Sequence, residues 1–441
     1  MRFTLSCIII LFLSAPAAKA QDTFYFPGEW EPHEAVWLGW EEFAPFPPVT
    51  VKLVKAMLPT VAIKMIAPDD STLGLAKNYL SRHRIDTTAI RFHVMPDNLI
   101  WMRDHGGLFL INEKNEIKTA DFNWSLYGWK KWLADVFDSN ADSVNYYMKR
   151  WWLDDLGKVD SLMAVAENAG TVASRVIAEG GALEMNGKGT LLLNERLMLE
   201  RNPGATKEFL EAEFKRMLGV RKIIWMGQGV AEDPHIIRTI AGKYIGGGTG
   251  GHTDEYVRFA DPNTILLAWV DESERDKNPL NQINYQRMSE NLRILEQATD
   301  QDGKPFRLIK VPLPDPILRP ITIVQKKSEN DTTLNMSVRR FPKKDGWKIG
   351  DTAIRVSASS YLNYFVTNGV VLLPTYVKAG SSPVKEEKVR QIFSELYPDR
   401  KLVFIECMGL NWYGGGMHCI TQQQPKRRTS AQTTGSASRG R

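Results

Sequence analysis

Four short segments of the chain set glycine beside ionisable side chains. They are Trp101-Met102-Arg103-Asp104-His105-Gly106-Gly107, Glu179-Gly180-Gly181, Gly246 through Gly251 running into His252-Thr253-Asp254, and Gly414-Gly415-Gly416-Met417-His418-Cys419. Glycine lets a ligand or another backbone approach closely, and ionisable residues just past strand ends are where reacting groups collect. A cysteine paired with a histidine does nucleophilic chemistry, the thiol attacking once ionised and the imidazole passing protons. Cys419 as nucleophile and His252 as acid/base partner are the candidates. Asp104, Asp254 and Glu179 add something a thiol protease does not need: carboxylates that together could hold a cationic, planar, bidentate group such as guanidinium. The bland alternatives are an inert buried thiol at Cys419 and a loop cap or salt-bridge partner at each acid.

Other chemistries fare worse. Gly246-Gly247-Gly248-Thr249-Gly250-Gly251 formally satisfies a dinucleotide fingerprint, but the HTDEYVRFADP that follows has no helical periodicity, and a pyrophosphate needs a helix N-terminus there. A P-loop lysine signature and a G-x-S-x-G elbow are both absent. A zinc site from His252, Asp254, His418 and Cys419 has no metal-ligand spacing behind it, and adjacent His418 and Cys419 would point to opposite faces of an extended segment. A disulfide between Cys407 and Cys419 is a further minor alternative, since a domain of this size needs no staple.

These residues must be positioned by alternating strands and helices. Pro383 to Tyr397 places Val389, Ile392, Phe393 and Leu396 on one helical face, with Ser382 as N-cap, Pro383 at the first helical position and acids in the first turn. Val370 to Leu373 before it and Leu402 to Ile405 after it read as buried strands. The order recurs upstream: strand Thr190 to Leu193, helix Thr206 to Leu218 with Phe209, Leu210, Phe214, Met217 and Leu218 on one face and Gly219 as stop, then strand Lys222 to Trp225. The alternation predicts an α/β architecture in a single catalytic domain, residues 21–425, with no repeat of fixed period.

Composition sets the outer bounds. The 441 residues are 43% hydrophobic and 24% charged, which excludes a disordered, collagen-like or coiled-coil chain. The formal charge of +5 would suit nucleic acid or another acidic partner, but residues 1–20 hold two basic residues and residues 426–441 five, with no acid in either. The body between is therefore slightly acidic, and no nucleic acid is expected as partner. Residues 1–20, with a basic start, an apolar run from Cys7 to Leu13 and Ala18-Lys19-Ala20, read as a cleaved signal peptide. Export to the periplasm or beyond is the expectation, with no stable membrane insertion after cleavage. Residues 426–441 read as a disordered basic tail; a secreted non-enzymatic binding protein using that tail is the remote alternative.

WMRDHGG, DFNW, EGGALEMNG, RNPGATKE, GGHTDEYVRF, SYLNYFVTNGVVLLP and GGGMHCITQQQP, in this order and after the opening EWEPHEAVWLGW, resemble the agmatine deiminase and Porphyromonas-type peptidylarginine deiminase family of guanidino-modifying enzymes. The resemblance runs from about Phe24 to Pro425. It implies a five-bladed α/β propeller of the pentein type, no metal or organic cofactor, and hydrolytic deimination through a covalent cysteine thiouronium. It makes Cys419 the nucleophile, His252 the general acid/base, Asp104 and Asp254 the grip on the guanidinium and Glu179 the residue that orients His252, with Asn363 and Asn368 as pocket residues. The substrate is expected to be a small guanidino compound, agmatine first, or arginine in an exported peptide. Two stretches depart from compact relatives: Tyr127 to Trp152, with Trp129, Trp132, Trp151 and Trp152, and Lys326 to Lys348, both read as surface insertions. His105 and Gly107 also stand where the family often has threonine and proline, a change at the pocket mouth.

Overall fold

Five times, a short strand pairs antiparallel with a second strand, and a helical crossover then brings in a third strand parallel to the second. The units are Leu108–Ile111, Ile117–Asn123 and Gly170–Ile177; Glu184–Met185, Thr190–Asn194 and Lys222–Met226; Val257–Asp261, Thr264–Trp269 and Arg307–Pro312; and Phe365–Thr367, Val370–Pro374 and Lys401–Ile405. The remaining unit is assembled from both ends of the chain. Its first strand, Thr421–Pro425, lies antiparallel to His33–Gly39, which pairs parallel with Ala62–Ala67 and, beyond it, Ile90–Val94. The result is a five-bladed α/β propeller closed by its C-terminal strand. The computed structural model describes residues 23–427 apart from 44, 97–98, 152–155 and 326–334. The signal-peptide reading, most of the tail, Trp152 and the start of the Lys326–Lys348 stretch lie outside the described residues, as does the side chain of Trp151.

The second strand of a blade is sandwiched between neighbours, and in the blades centred on Thr190–Asn194 and Val370–Pro374 it reads as an unbroken apolar run. Leu191, Leu192 and Leu193 are all fully buried, as are Val371, Leu372 and Leu373. Crossover helices cover the blades from outside. In Pro383–Leu396 the Ser382 side chain accepts from the Val384 N–H, and Val389 and Phe393 form the buried stripe. In Lys207–Leu218 Thr206 is the N-cap rather than the first helical residue, and Gly219 closes the helix at φ +67°. Its buried face is Leu210, Phe214, Met217 and Leu218; Phe209, a turn position off that stripe, is half exposed instead of buried.

The two departing stretches are structural parts of the molecule. Helices Trp129–Val136 and Ala141–Trp151 bury Trp132, Leu133, Val136 and Val144 against Ile236. Ile236–Ala241, Tyr244–Gly248, Thr352–Val356, Leu318–Val324 and Met336–Ser337 form a sixth sheet outside the five blades, where Met336 and Phe341 pack on Ile245 and Ile321. Among the described residues no helix is long and apolar enough to cross a membrane.

Candidate active site

One place in the blade recurs: the turn immediately before each first strand. The helical turn Met102–His105 carries Asp104 into Leu108–Ile111, and Glu179 caps the turn Gly180–Ala182 ahead of Glu184–Met185. His252 and Asp254 lie at the turn Thr253–Glu255 before Val257–Asp261. Asn363 precedes Phe365–Thr367, and Cys419 precedes Thr421–Pro425. Five blades thus deliver five polar turns to one end of the fold. Asn368 sits at the opposite end of the same short strand, where its side chain bonds the N–H and C=O of His33 at 2.9 and 2.8 Å. It belongs to the blade's hairpin and not to the pocket, contrary to the sequence reading.

The turns converge on Gly181. A β-carbon there would stand 2.7 Å from Asp104 Oδ1, 2.7 Å from His252 Nδ1 and 3.1 Å from Asp254 Oδ2, so only glycine leaves that space to a ligand. His252 Nδ1 is 3.5 Å from Asp104 Oδ1, and Asp254 Oδ2 is 3.7 Å from Cys419 Sγ. Asn363 Nδ2 donates to the sulfur at 3.1 Å and the Gly416 N–H approaches it at 3.4 Å. All of these side chains are buried. Both ring nitrogens of His252, Glu179 Oε2 and Asp254 Oδ1 are buried without a hydrogen-bond partner, and the two carboxylate oxygens are acceptors that a donor-rich cation would satisfy.

Glu179 relates to His252 differently from the expectation. Its Oε2 stands 3.7 Å from His252 Nε2, an ion-pair contact longer than a hydrogen bond, while its Oε1 accepts from Arg201 Nε at 2.7 Å. Burial opposes ionisation of Glu179, but Arg201 and His252 outweigh it and hold the acid at about 2. Burial likewise pushes the His252 imidazolium down, and Asp104, Glu179 and Asp254 together reverse that, lifting it to about 9. Asp104 is raised to about 6 by burial and the Asp254 and Glu179 charges, with His252 and Tyr127 opposing. Cys419 is pushed well above the ordinary thiol range by burial, then by Asp254, Glu255 and Asp104. At neutral pH the site therefore pairs a thiol with an imidazolium.

Several members of the site were given no part in the reaction by the sequence reading, which weighed His418 only as a zinc ligand and Tyr127 only as part of a surface insertion. His418 is no bystander to Cys419: its turn is not extended, and both residues reach Asp254. His418 Nδ1 lies 2.8 Å from Asp254 Oδ2 and Nε2 lies 2.7 Å from Glu29 Oε2, contacts that hold Asp254 low against burial. Glu29 in turn meets Arg258 at 3.0 Å and Arg103 at 3.6 Å, and Arg258 meets Glu184 at 2.9 Å. Glu255 accepts from Asn363 at 2.9 Å and stands 4.0 Å from the sulfur. Tyr127, from the stretch read as a surface insertion, donates to Asp104 Oδ2 at 2.7 Å. Donor atoms of Asp254, Glu255 and Cys419 lie within 4.8 Å of one another, but burial favours the neutral forms of Glu255 and Cys419, which suits a metal ion poorly. Cys407 and Cys419 are both free thiols.

A propeller whose blade turns bring a cysteine, a histidine and several carboxylates to one buried point defines a class of guanidine-modifying folds. The sequence model of the Porphyromonas-type peptidyl-arginine deiminase family matches residues 25–425, and the chain belongs to that family. An agmatine deiminase of Pseudomonas syringae pv. tomato is 30% identical over 409 residues, covering 92% of this chain and 96% of the relative. The agmatine deiminase of Enterococcus faecalis superposes with a TM-score of 0.69 at 24% identity, over 92% of this chain and 97% of that one. A C. jejuni agmatine deiminase with substrate bound gives 0.65 at 18% identity, over 92% and 97%. These two share the fold.

Proposed function

We propose that the protein hydrolyses agmatine to N-carbamoylputrescine and ammonia. The observation that carries this is the ring of Asp104, His252 and Asp254 about the side-chain-free position at Gly181, beside the Cys419 sulfur. Asp104 and Asp254 clamp the guanidinium plane, which turns its central carbon to the thiol, and positioning of this kind can be worth up to about 7–11 kcal/mol. Burial and then the neighbouring carboxylates keep Cys419 protonated; the arriving cation cancels the carboxylates' field, and the thiol loses its proton to solvent as substrate binds. The thiolate adds to the guanidinium carbon, and the His252 imidazolium gives its proton to the departing nitrogen, which leaves as ammonia. A thiouronium cation remains on Cys419. Neutral His252 then takes a proton from water, the hydroxide adds to the same carbon, and collapse of the adduct passes the hydroxyl proton to the departing sulfur, which restores the thiol and frees the ureido product.

Agmatine is favoured over arginine by the cations near the site. Arg103, Arg201 and Arg258 are ion-paired to Glu29, Glu179 and Glu184, which leaves them poorly placed to hold an α-carboxylate. The leader read from residues 1–20 would place the reaction outside the cytoplasm and is the observation that favours an exported arginine peptide instead. Incubation of the purified protein with agmatine, free arginine and internal or C-terminal peptidyl arginine tests both. Ammonia release from agmatine is expected; release from arginine peptides alone would replace this reading.

A further inference from the structure

The loop that brings Tyr127 to Asp104 is built against local preference. Leu126, Tyr127 and Gly128 run consecutively in the left-handed region at φ +51°, +56° and +72°, where two non-glycine residues in succession are disfavoured. Such a conformation persists only where its surroundings over-determine it, and it tends to mark function. Here the restraints are visible. His235 Nε2 donates to the Tyr127 carbonyl at 2.7 Å, the Gly128 N–H meets Ser125 Oγ at 3.0 Å, and Trp124 packs edge-on against the Tyr127 ring at 4.9 Å. Gly128 itself lies over Arg201: a β-carbon there would be 3.1 Å from Arg201 Nη1, the guanidinium that pairs with Glu179. The Tyr127 ring is 6.2 Å from that of His252.

All this serves one bond, the Tyr127 hydroxyl to Asp104 Oδ2. Among the described residues no other hydrogen bond reaches that oxygen, while Oδ1 faces the Gly181 N–H at 3.1 Å and His252 at 3.5 Å. We propose that Tyr127 is the positioning residue of the guanidinium site, holding the Asp104 carboxylate in the plane that receives substrate. The inference rests on the deiminase reading above and extends it to a residue outside the blade turns. The groups facing Asp104 are the Tyr127 hydroxyl, the Gly181 N–H and His252, with Asp254 and Glu179 acting through their charge; the two donors and His252 favour the ionised form, and the two acids oppose it. Loss of the hydroxyl therefore moves Asp104 toward protonation.

Tyr127→Phe removes the hydroxyl alone, with the ring and loop retained. For agmatine near pH 7, KM should rise about tenfold with a smaller change in kcat, as expected for loss of a hydrogen bond to a charged group. The acid limb of kcat/KM should move about one unit to higher pH. A second comparison needs no turnover: calorimetry of agmatine binding to Cys419→Ala and to Cys419→Ala/Tyr127→Phe should show about a tenfold weaker Kd for the double variant. An unchanged KM and acid limb in Tyr127→Phe, or equal agmatine Kd values for the two cysteine variants, would overturn the proposal. So would a loss of activity accompanied only by a lower Tm. Failure of the wild-type protein to release ammonia from agmatine would instead strike the deiminase reading, and the Tyr127 comparison would then be run on whichever guanidine the protein turns over.

Discussion

Gly181→Ala asks whether the space at the centre of the blade turns is what the chemistry needs. The new methyl carbon would sit 2.7 Å from both Asp104 Oδ1 and His252 Nδ1 and 3.1 Å from Asp254 Oδ2. Since an ordinary carbon–oxygen contact lies near 3.4 Å, two of these groups must retreat by roughly 0.7 Å or the turn must shift, and a displacement of about 1 Å in a reacting geometry costs on the order of a hundredfold in rate. The methyl also occupies volume assigned to substrate. We expect kcat/KM for agmatine to fall at least a hundredfold. Gly181 is not in the positive-φ region, so its backbone tolerates alanine, and the thermal midpoint should stay within a few degrees of wild type. Steady-state kinetics by ammonia release, with a melting curve on the same preparation, makes the measurement. Activity within threefold of wild type would refute the placement of the guanidinium at Gly181.

Two further outcomes follow from the same geometry. The pH profile of kcat/KM should be bell-shaped, falling below about 6 as Asp104 takes up a proton and above about 9 as His252 loses the proton it must give the leaving nitrogen; a flat profile across pH 6 would contradict the role of Asp104. Asn368→Ala should leave KM and kcat for agmatine unchanged while lowering stability by about 1–2 kcal/mol, because it removes two part-buried hydrogen bonds to His33 at the blade hairpin, and urea unfolding with parallel kinetics would separate the two effects.

What was legible in the sequence was local. Ser382, Pro383 and the Val389/Phe393 stripe announce a helix, and glycine beside Asp104, Glu179, His252 and Cys419 announces turns at strand edges. The fivefold repeat was not legible, because the second strands begin at His33, Ile117, Thr190, Thr264 and Val370, at unequal intervals set by the helices after Asn123 and the sixth sheet after Pro312. No period survives such insertions, and the closing blade joins residues from opposite ends of the chain. Asn363 and Asn368 look alike in sequence; only strand length and direction decide that one opens on the site and the other on the far hairpin. Glu29, His418 and Tyr127 belong to the site through contacts 389, 164 and 23 residues apart, which no spacing rule encodes.

The central claim is that Cys419 carries the substrate carbon during turnover. Acid quenching of the protein during steady-state turnover of agmatine, followed by peptide mass spectrometry, tests it most directly. The peptide containing Cys419 should gain the mass of agmatine less ammonia, and Cys419→Ala should show neither the adduct nor ammonia release. Full turnover by Cys419→Ala, or an adduct on Cys407 in place of Cys419, would contradict it.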